Sequence, residues 1–115
     1  WGGMYVLDLI PSGIVGLMPG LGAADVLQRV WQLGTSGQLD AACDLFQAIL
    51  PQLVFTLQNM ELFLRLEKEL LVTRGVLPAS SAHVRSPTWT PDADALEHGL
   101  FLNRRVVAAS EPLAP

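Results

Sequence analysis

Gly13-Ile14-Val15-Gly16-Leu17-Met18-Pro19-Gly20 is an apolar run closed by glycine on one side and Pro-Gly on the other. A run that short, with no polar alternation, reads as a strand buried on both faces, as in a parallel sheet. It is the one good strand candidate in the chain. On its amino side, residues 4–10 read as a short helix stopped at Pro11-Ser12-Gly13, because proline cannot continue a helix and glycine suits the left-handed turn after one. On its carboxyl side Ala23, Val26, Leu27 and Val30 recur at helical spacing, predicting an amphipathic helix over 23–33 that ends near Gly34.

Beyond Gly34 the pattern is helical throughout. A second long helix begins near Ser36 or Gln38, with Ala42, Leu45, Phe46, Ile49 and Leu53 on one stripe, widened by Leu50, Val54 and Leu57. Pro51 lies inside it, so a kink or change of axis is expected there. Residues 60–74 form a third helix, apolar at Leu62, Phe63, Leu66, Leu70 and Leu71, with Glu61, Arg65 and Glu69 spaced for ion pairs on its wet side. Gly75 ends it. Residues 76–89 carry Pro78, Ser80, Ser81 and Pro87 without a sustained period and read as an ordered connection. Thr90 then caps a last helix, with Pro91 at its first position and Asp92 and Asp94 in its first turn, running to about Ala108 before a frayed tail over 109–115.

Composition narrows the function classes. The chain has 115 residues, 50% of them hydrophobic and 16% charged, so it must bury a core and has room for one compact domain. A complete (β/α)8 barrel needs roughly 200 residues or more, so a chain of this length supplies only part of one. The mean hydropathy of +0.38 is high for so small a domain, which predicts that some apolar surface meets a partner. A net charge of −4, with the basic residues scattered, gives no footprint for nucleic acid. The absence of Lys and Arg from the first 24 residues argues against a secretory signal, and Asp8, Pro11 and Pro19 break up the apolar start too much for a membrane span. A soluble, cytoplasmic chain with no membrane or nucleic-acid partner is expected. The single cysteine, Cys43, sits in a helical pattern and reads as a small buried thiol in a reducing compartment.

Chemistry-bearing residues are sparse. His83, His98 and Cys43 are too far apart for metal-ligand spacing, and no serine lies in a strained nucleophile turn, so neither a metal nor a cofactor is expected. Gly16, Gly20 and Gly22 open a helix without the Lys-Ser/Thr of a phosphate loop, which points to tight packing of strand on helix. Lys68 is the only lysine. Glu67 and Glu69 beside it hold its amine protonated, whereas an imine-forming lysine needs a depressed pKa, so no catalytic residue is assigned.

Residues 13–18, followed by Gly37-Gln38-Leu39-Asp40-Ala41-Ala42-Cys43-Asp44-Leu45-Phe46 and Leu50-Pro51, resemble the C-terminal part of the dihydrodipicolinate synthase / N-acetylneuraminate lyase family. Further pieces agree in order: Trp31 to Gly37, then Lys68, Leu71 and Gly75, then Arg85-Ser86-Pro87. The resemblance implies a mainly α chain, the C-terminal fragment of a (β/α)8 TIM barrel plus the family's helical extension. On it, residues 1–34 correspond to helix seven, strand eight and helix eight, residues 35–108 to the extension, and residues 109–115 to a tail. It also implies a lyase that forms a Schiff base between a lysine and pyruvate or a 2-oxo sugar acid, as aldolase or dehydratase, and is a homo-oligomer when complete. That lysine lies on strand six and its tyrosine helper on strand five, so this chain alone is expected to be inactive. The resemblance carries Met18 to the wall of the substrate pocket, with Gly16, Pro19 and Gly20 shaping the strand end. Pro19-Gly20 departs from the Ser/Thr-containing continuation of the synthases and is closer to the sugar-acid branches. A start at Trp1 rather than methionine is expected to reflect chain lying upstream.

A non-catalytic helical interaction module is the other reading. The run 13–20 separates the two: packed inside the helices it favours a self-contained binder, and displayed at an edge with apolar side chains outward it favours part of a barrel.

Overall fold

A computed structural model describes residues 2–113. Among these residues there is no β-strand; the chain is built from helices α1 (Val6–Leu9), α2 (Ala24–Thr35), α3 (Leu39–Thr56), α4 (Met60–Thr73) and α5 (Ala93–Ser110), with 3-10 turns at Ile10–Ser12, Leu21–Ala23, Ala79–Ser81 and Glu111–Leu113. None of the helices is long and apolar enough to cross a membrane. The expected strand is absent as a ladder: residues 14–20 have no regular structure. A strand exists only where neighbouring backbone can take its N–H and C=O groups, and nothing in the described chain lies alongside to do so.

The helices follow the apolar stripes. Val26, Leu27, Val30 and Leu33 of α2 meet Ala42, Phe46, Ile49 and Leu53 of α3, and Val6, Leu70 and Val106 close the same core. Each fully buried aliphatic side chain of this kind contributes about 1.5–3 kcal/mol relative to exposure. Helix α3 packs on both α2 and α5, and α4 packs on α5. Helix α3 continues through Pro51 without a break in its helical assignment. Pro51 and Gln47, whose carbonyl loses its i+4 donor, both lie at exposed positions, so solvent can satisfy the freed group.

The helix ends are set by local chemistry. Asn59 caps α4, its side chain accepting from the N–H groups of Glu61 at 2.8 Å and Leu62 at 3.3 Å. Gly75, with φ of 72°, ends it in a Schellman turn: Val76 N–H donates to the Leu71 carbonyl at 2.8 Å. The cap of α5 is Asp92, not Thr90, because the Asp92 carboxylate accepts from Ala95 N–H at 2.8 Å and a charged oxygen is the stronger acceptor for that orphan amide. Its C-terminus also runs further than expected, and the following turn seats Leu113 against the core, so residues 109–113 are not frayed. Ala114 and Pro115, the remainder of the expected tail, lie outside the described residues.

A buried polar link holds α3, α4 and α5 in register. Gln52 donates from Nε2 to Asn103 Oδ1 at 3.2 Å, and Asn103 donates from Nδ2 to the Leu66 carbonyl at 2.9 Å. Close approach at the same level requires glycine: a Cβ on Gly99 would lie 2.3 Å from Leu66 Cδ1.

Gly99→Ala is therefore expected to cost about 1–3 kcal/mol of stability through overpacking, read by denaturant unfolding. Gly16→Ala, where an added Cβ meets nothing within 4 Å, serves as the control and stays within about 0.5 kcal/mol. Equal stability of the two variants would contradict the α4–α5 packing described.

Candidate functional site

Residues 13–25 form the part of the molecule where the sequence placed its site. Gly13, at φ of 78°, turns the chain out of the first helical segment. The stretch 14–20 then leads into the Leu21–Ala23 turn. Its side chains split in two directions. Leu17 packs against the core together with Trp31, whereas Val15 is 98% exposed and Met18 99% exposed. Two apolar side chains of one short stretch held fully in water are unusual for a finished surface.

Between this stretch and α2 lies an open groove of about 250 Å³, lined by Gly16, Leu17, Pro19, Ala24, Leu27, Gln28 and Trp31. The lining offers apolar contact and one amide, with no acid, base or nucleophile. Gly16 and Pro19, two of the four residues assigned to the pocket wall, line this groove. Met18 projects away into solvent, and Gly20 lies instead against Glu67, whose Oε1 would be 2.7 Å from an added Cβ.

The far end of the stretch is fixed by α4. Gly22 N–H donates to Glu67 Oε1 at 2.6 Å, and the Gly22 carbonyl accepts from Arg74 at 2.5 Å. Arg74 also grips Asp25 with two parallel bonds, at 2.9 Å and 2.5 Å. The fork matches a carboxylate plane, which makes the pair directional as well as attractive. Hydrogen bonding from the Arg74 guanidinium, against a smaller opposing cost of burial, holds the Asp25 carboxyl below its usual range, and the same contact raises Arg74. An added Cβ on Gly22 would sit 2.6 Å from Leu70 Cδ2, so the tight packing inferred for the glycines falls on Gly20 and Gly22, while Gly16 has open space.

The remaining candidates are scattered. Lys68 donates from Nζ to the His83 carbonyl at 2.7 Å, tying the 76–92 connection to α4. Glu61, expected to pair with Arg65, turns to the same connection, accepting from Thr88 N–H and Oγ1 at 2.7 Å each and from Trp89 N–H. The Thr88 hydroxyl and backbone bonds pull the Glu61 carboxyl below its ordinary range. Arg65 pairs with Glu69 at 2.7 Å, as its spacing predicts. His98 stacks edge-on with Phe55, ring centroids 4.8 Å apart, and Cys43 is a half-buried free thiol. Among the described residues no three His, Cys, Asp or Glu side chains are grouped to hold a metal ion. The Glu67–Gly22–Arg74–Asp25 arrangement was missed by sequence reasoning, since 49 residues separate Asp25 from Arg74 and no local pattern joins them.

Arg74→Met is expected to return the Asp25 carboxyl to its ordinary range, read by NMR titration of its side-chain carbon. Because Asp25 is depressed in the folded chain, the stability it contributes is fully present above the ordinary aspartate range and is lost as pH falls through the folded value. The stability advantage of the parent over Arg74→Met should shrink over that window. An advantage unchanged by acid would contradict the ion pair.

No protein-family profile matches the chain, and no curated protein does. Among solved structures, the crystal structure of dihydrodipicolinate synthase from Rhodopseudomonas palustris superposes with a TM-score of 0.77 at 32% sequence identity, over 90% of this chain and 34% of that one. The chain thus spans about a third of the length of that synthase. The motifs around residues 13–51 and the three-dimensional match point to the same family, and the chain is similar to a C-terminal part of dihydrodipicolinate synthase.

Proposed function

We propose that this chain is the carboxyl-terminal part of a Schiff-base lyase that acts on pyruvate or a 2-oxo sugar acid in the cytoplasm, without cofactor, and as a homo-oligomer when whole. Residues 1–34 contribute the last βα unit of its barrel and residues 35–108 its helical extension. The observation that carries this reading is the stretch 14–19. It is apolar, bounded by glycines, without a pairing partner, and displays Val15 and Met18 outward. This is the form expected of a barrel strand whose neighbours lie on other chain. The same exposure weighs against a self-contained interaction module, which would bury the run among its helices.

In the whole barrel this stretch forms the strand-eight rim, where the ends of barrel strands face substrate. Gly16 and Pro19 then shape the mouth, Gly20 sets its distance from α4, and Met18 supplies an apolar wall once flanking strands cover it. The imine chemistry belongs to residues outside this chain. Lys68 takes no part: it lies between two glutamates on α4, with its amine donating to the His83 carbonyl.

Borohydride trapping with pyruvate tests the proposal. The 115-residue chain alone is expected to keep its intact mass. Mixed with the upstream part of the Rhodopseudomonas palustris synthase, it should restore a trapped adduct on a lysine of that upstream part. A trapped adduct on Lys68, or no adduct and no association in the mixture, would overturn the reading.

A further inference from the structure

The connection between α4 and α5 is pinned to α4 at two places. Lys68 Nζ donates to the His83 carbonyl at 2.7 Å, and Glu61 accepts from Thr88 and from Trp89 N–H. Between the connection, α4 and the first turn of α5 lies a cleft of about 250 Å³. Its polar lining includes Glu61, Arg65 and His83, and its apolar lining includes Pro87, Trp89 and Leu96. That volume lies below the roughly 300–1,000 Å³ of sites for drug-sized ligands and suits a molecule of metabolite size. Both anchors are bonds of the chain to itself, so the cleft stands before any ligand arrives, which lowers the ordering cost of binding. The lyase reading uses none of the lining residues.

Glu61 and Arg65 stand one helical turn apart, a spacing that ordinarily yields an ion pair. Here they do not pair with each other. Glu61 Oε1 accepts from the Thr88 N–H and hydroxyl, while Oε2 accepts only from Trp89 N–H and keeps room for a further donor. Arg65 donates from Nε and Nη2 to Glu69 Oε1 at 3.0 Å and 2.7 Å, which leaves Nη1 without a protein partner among the described residues. His83 Nδ1 lies 2.9 Å from the Ser80 carbonyl and donates there, so in the neutral ring Nε2 is an acceptor. A simple anion in the cleft meets the Glu61 charge, and a simple cation meets the Arg65 charge. A zwitterion satisfies both. Trp89, 42% exposed, supplies a flat apolar wall beside them.

We propose that this cleft binds a free α-amino acid with a large apolar side chain. Its carboxylate accepts from Arg65 Nη1, its ammonium donates to Glu61 Oε2 and His83 Nε2, and its side chain lies on Trp89. Four residues of helix rise about 6 Å, a gap that an amino-acid headgroup with a hydrogen bond at each end bridges. The inference stands apart from the lyase reading, since it uses no residue of the 13–25 region.

Titration of the 115-residue chain with L-phenylalanine, followed by two-dimensional amide NMR, tests it. Saturable shifts are expected at the Trp89 indole N–H and at amides of residues 61–65 and 83–91, with a dissociation constant of about 1 mM or tighter. Phenylalaninamide and N-acetylphenylalanine each lack one of the two charges and should bind about tenfold more weakly or worse. Arg65→Gln should weaken phenylalanine by a similar factor while leaving the weaker binding of phenylalaninamide where it was. Trp89→Ser, which keeps the backbone bond to Glu61, should weaken all three ligands, and unshifted amides in the α2–α3 core show that each variant is folded. The proposal is overturned by the absence of saturable shifts, by shifts confined to the groove beside Trp31, by equal affinity for the three ligands, or by phenylalanine binding indifferent to both substitutions.

Discussion

The peptide of Gly22 is held on both sides by α4: its N–H by Glu67 and its carbonyl by Arg74. Everything that makes the 14–20 stretch a defined feature rather than a loose connection depends on that clamp. It fixes where α2 begins, because Arg74 continues from the Gly22 carbonyl to the Asp25 carboxylate in the first turn of α2. It also explains the glycines. Side chains at 20 and 22 would strike Glu67 and Leu70 before the clamp could close. The helical array therefore positions the stretch from its carboxyl end, and the left-handed Gly13 turn positions it from the other.

Between those anchors the backbone has hydrogen-bonding groups and apolar side chains but no strand beside it. An apolar run with nothing to pair against cannot form a ladder, and Val15 and Met18 face water. The groove under Leu17 and Pro19 has shape and apolar character but no titrating group. On the proposed reading chemistry and framework are separated: this chain would supply a rim and its supporting helices, and the reacting lysine would belong elsewhere in the barrel.

Helix positions were legible because burial repeats at helical spacing; Val26, Leu27 and Val30, or Leu62, Leu66 and Leu70, announce their faces directly. The short apolar run 14–18 was legible as strand-like chemistry but not as structure, since a ladder is a property of neighbours. The cap of α5 was misplaced by two residues because Thr90-Pro91 and Asp92 both offer acceptable starts, and the choice rests on which oxygen reaches an orphan amide. The clamp on Gly22 and the Gln52–Asn103 link join residues dozens of positions apart, and a single sequence carries no periodic or compositional trace of such pairs. Of the candidate site, the family resemblance assigned Gly16, Met18, Pro19 and Gly20 to a substrate-pocket wall; Gly16 and Pro19 line the groove beside α2, whereas Met18 faces solvent and Gly20 lies against Glu67.

Amide hydrogen exchange over residues 14–18 tests the central claim, that this stretch is a barrel strand awaiting its neighbours. In the 115-residue chain these amides are predicted to exchange at unprotected rates while the cores of α2 to α5 stay protected, and to become protected on mixing with the upstream part of the related synthase. Protection of residues 14–18 in the chain alone, or no gain in the mixture, would contradict the account.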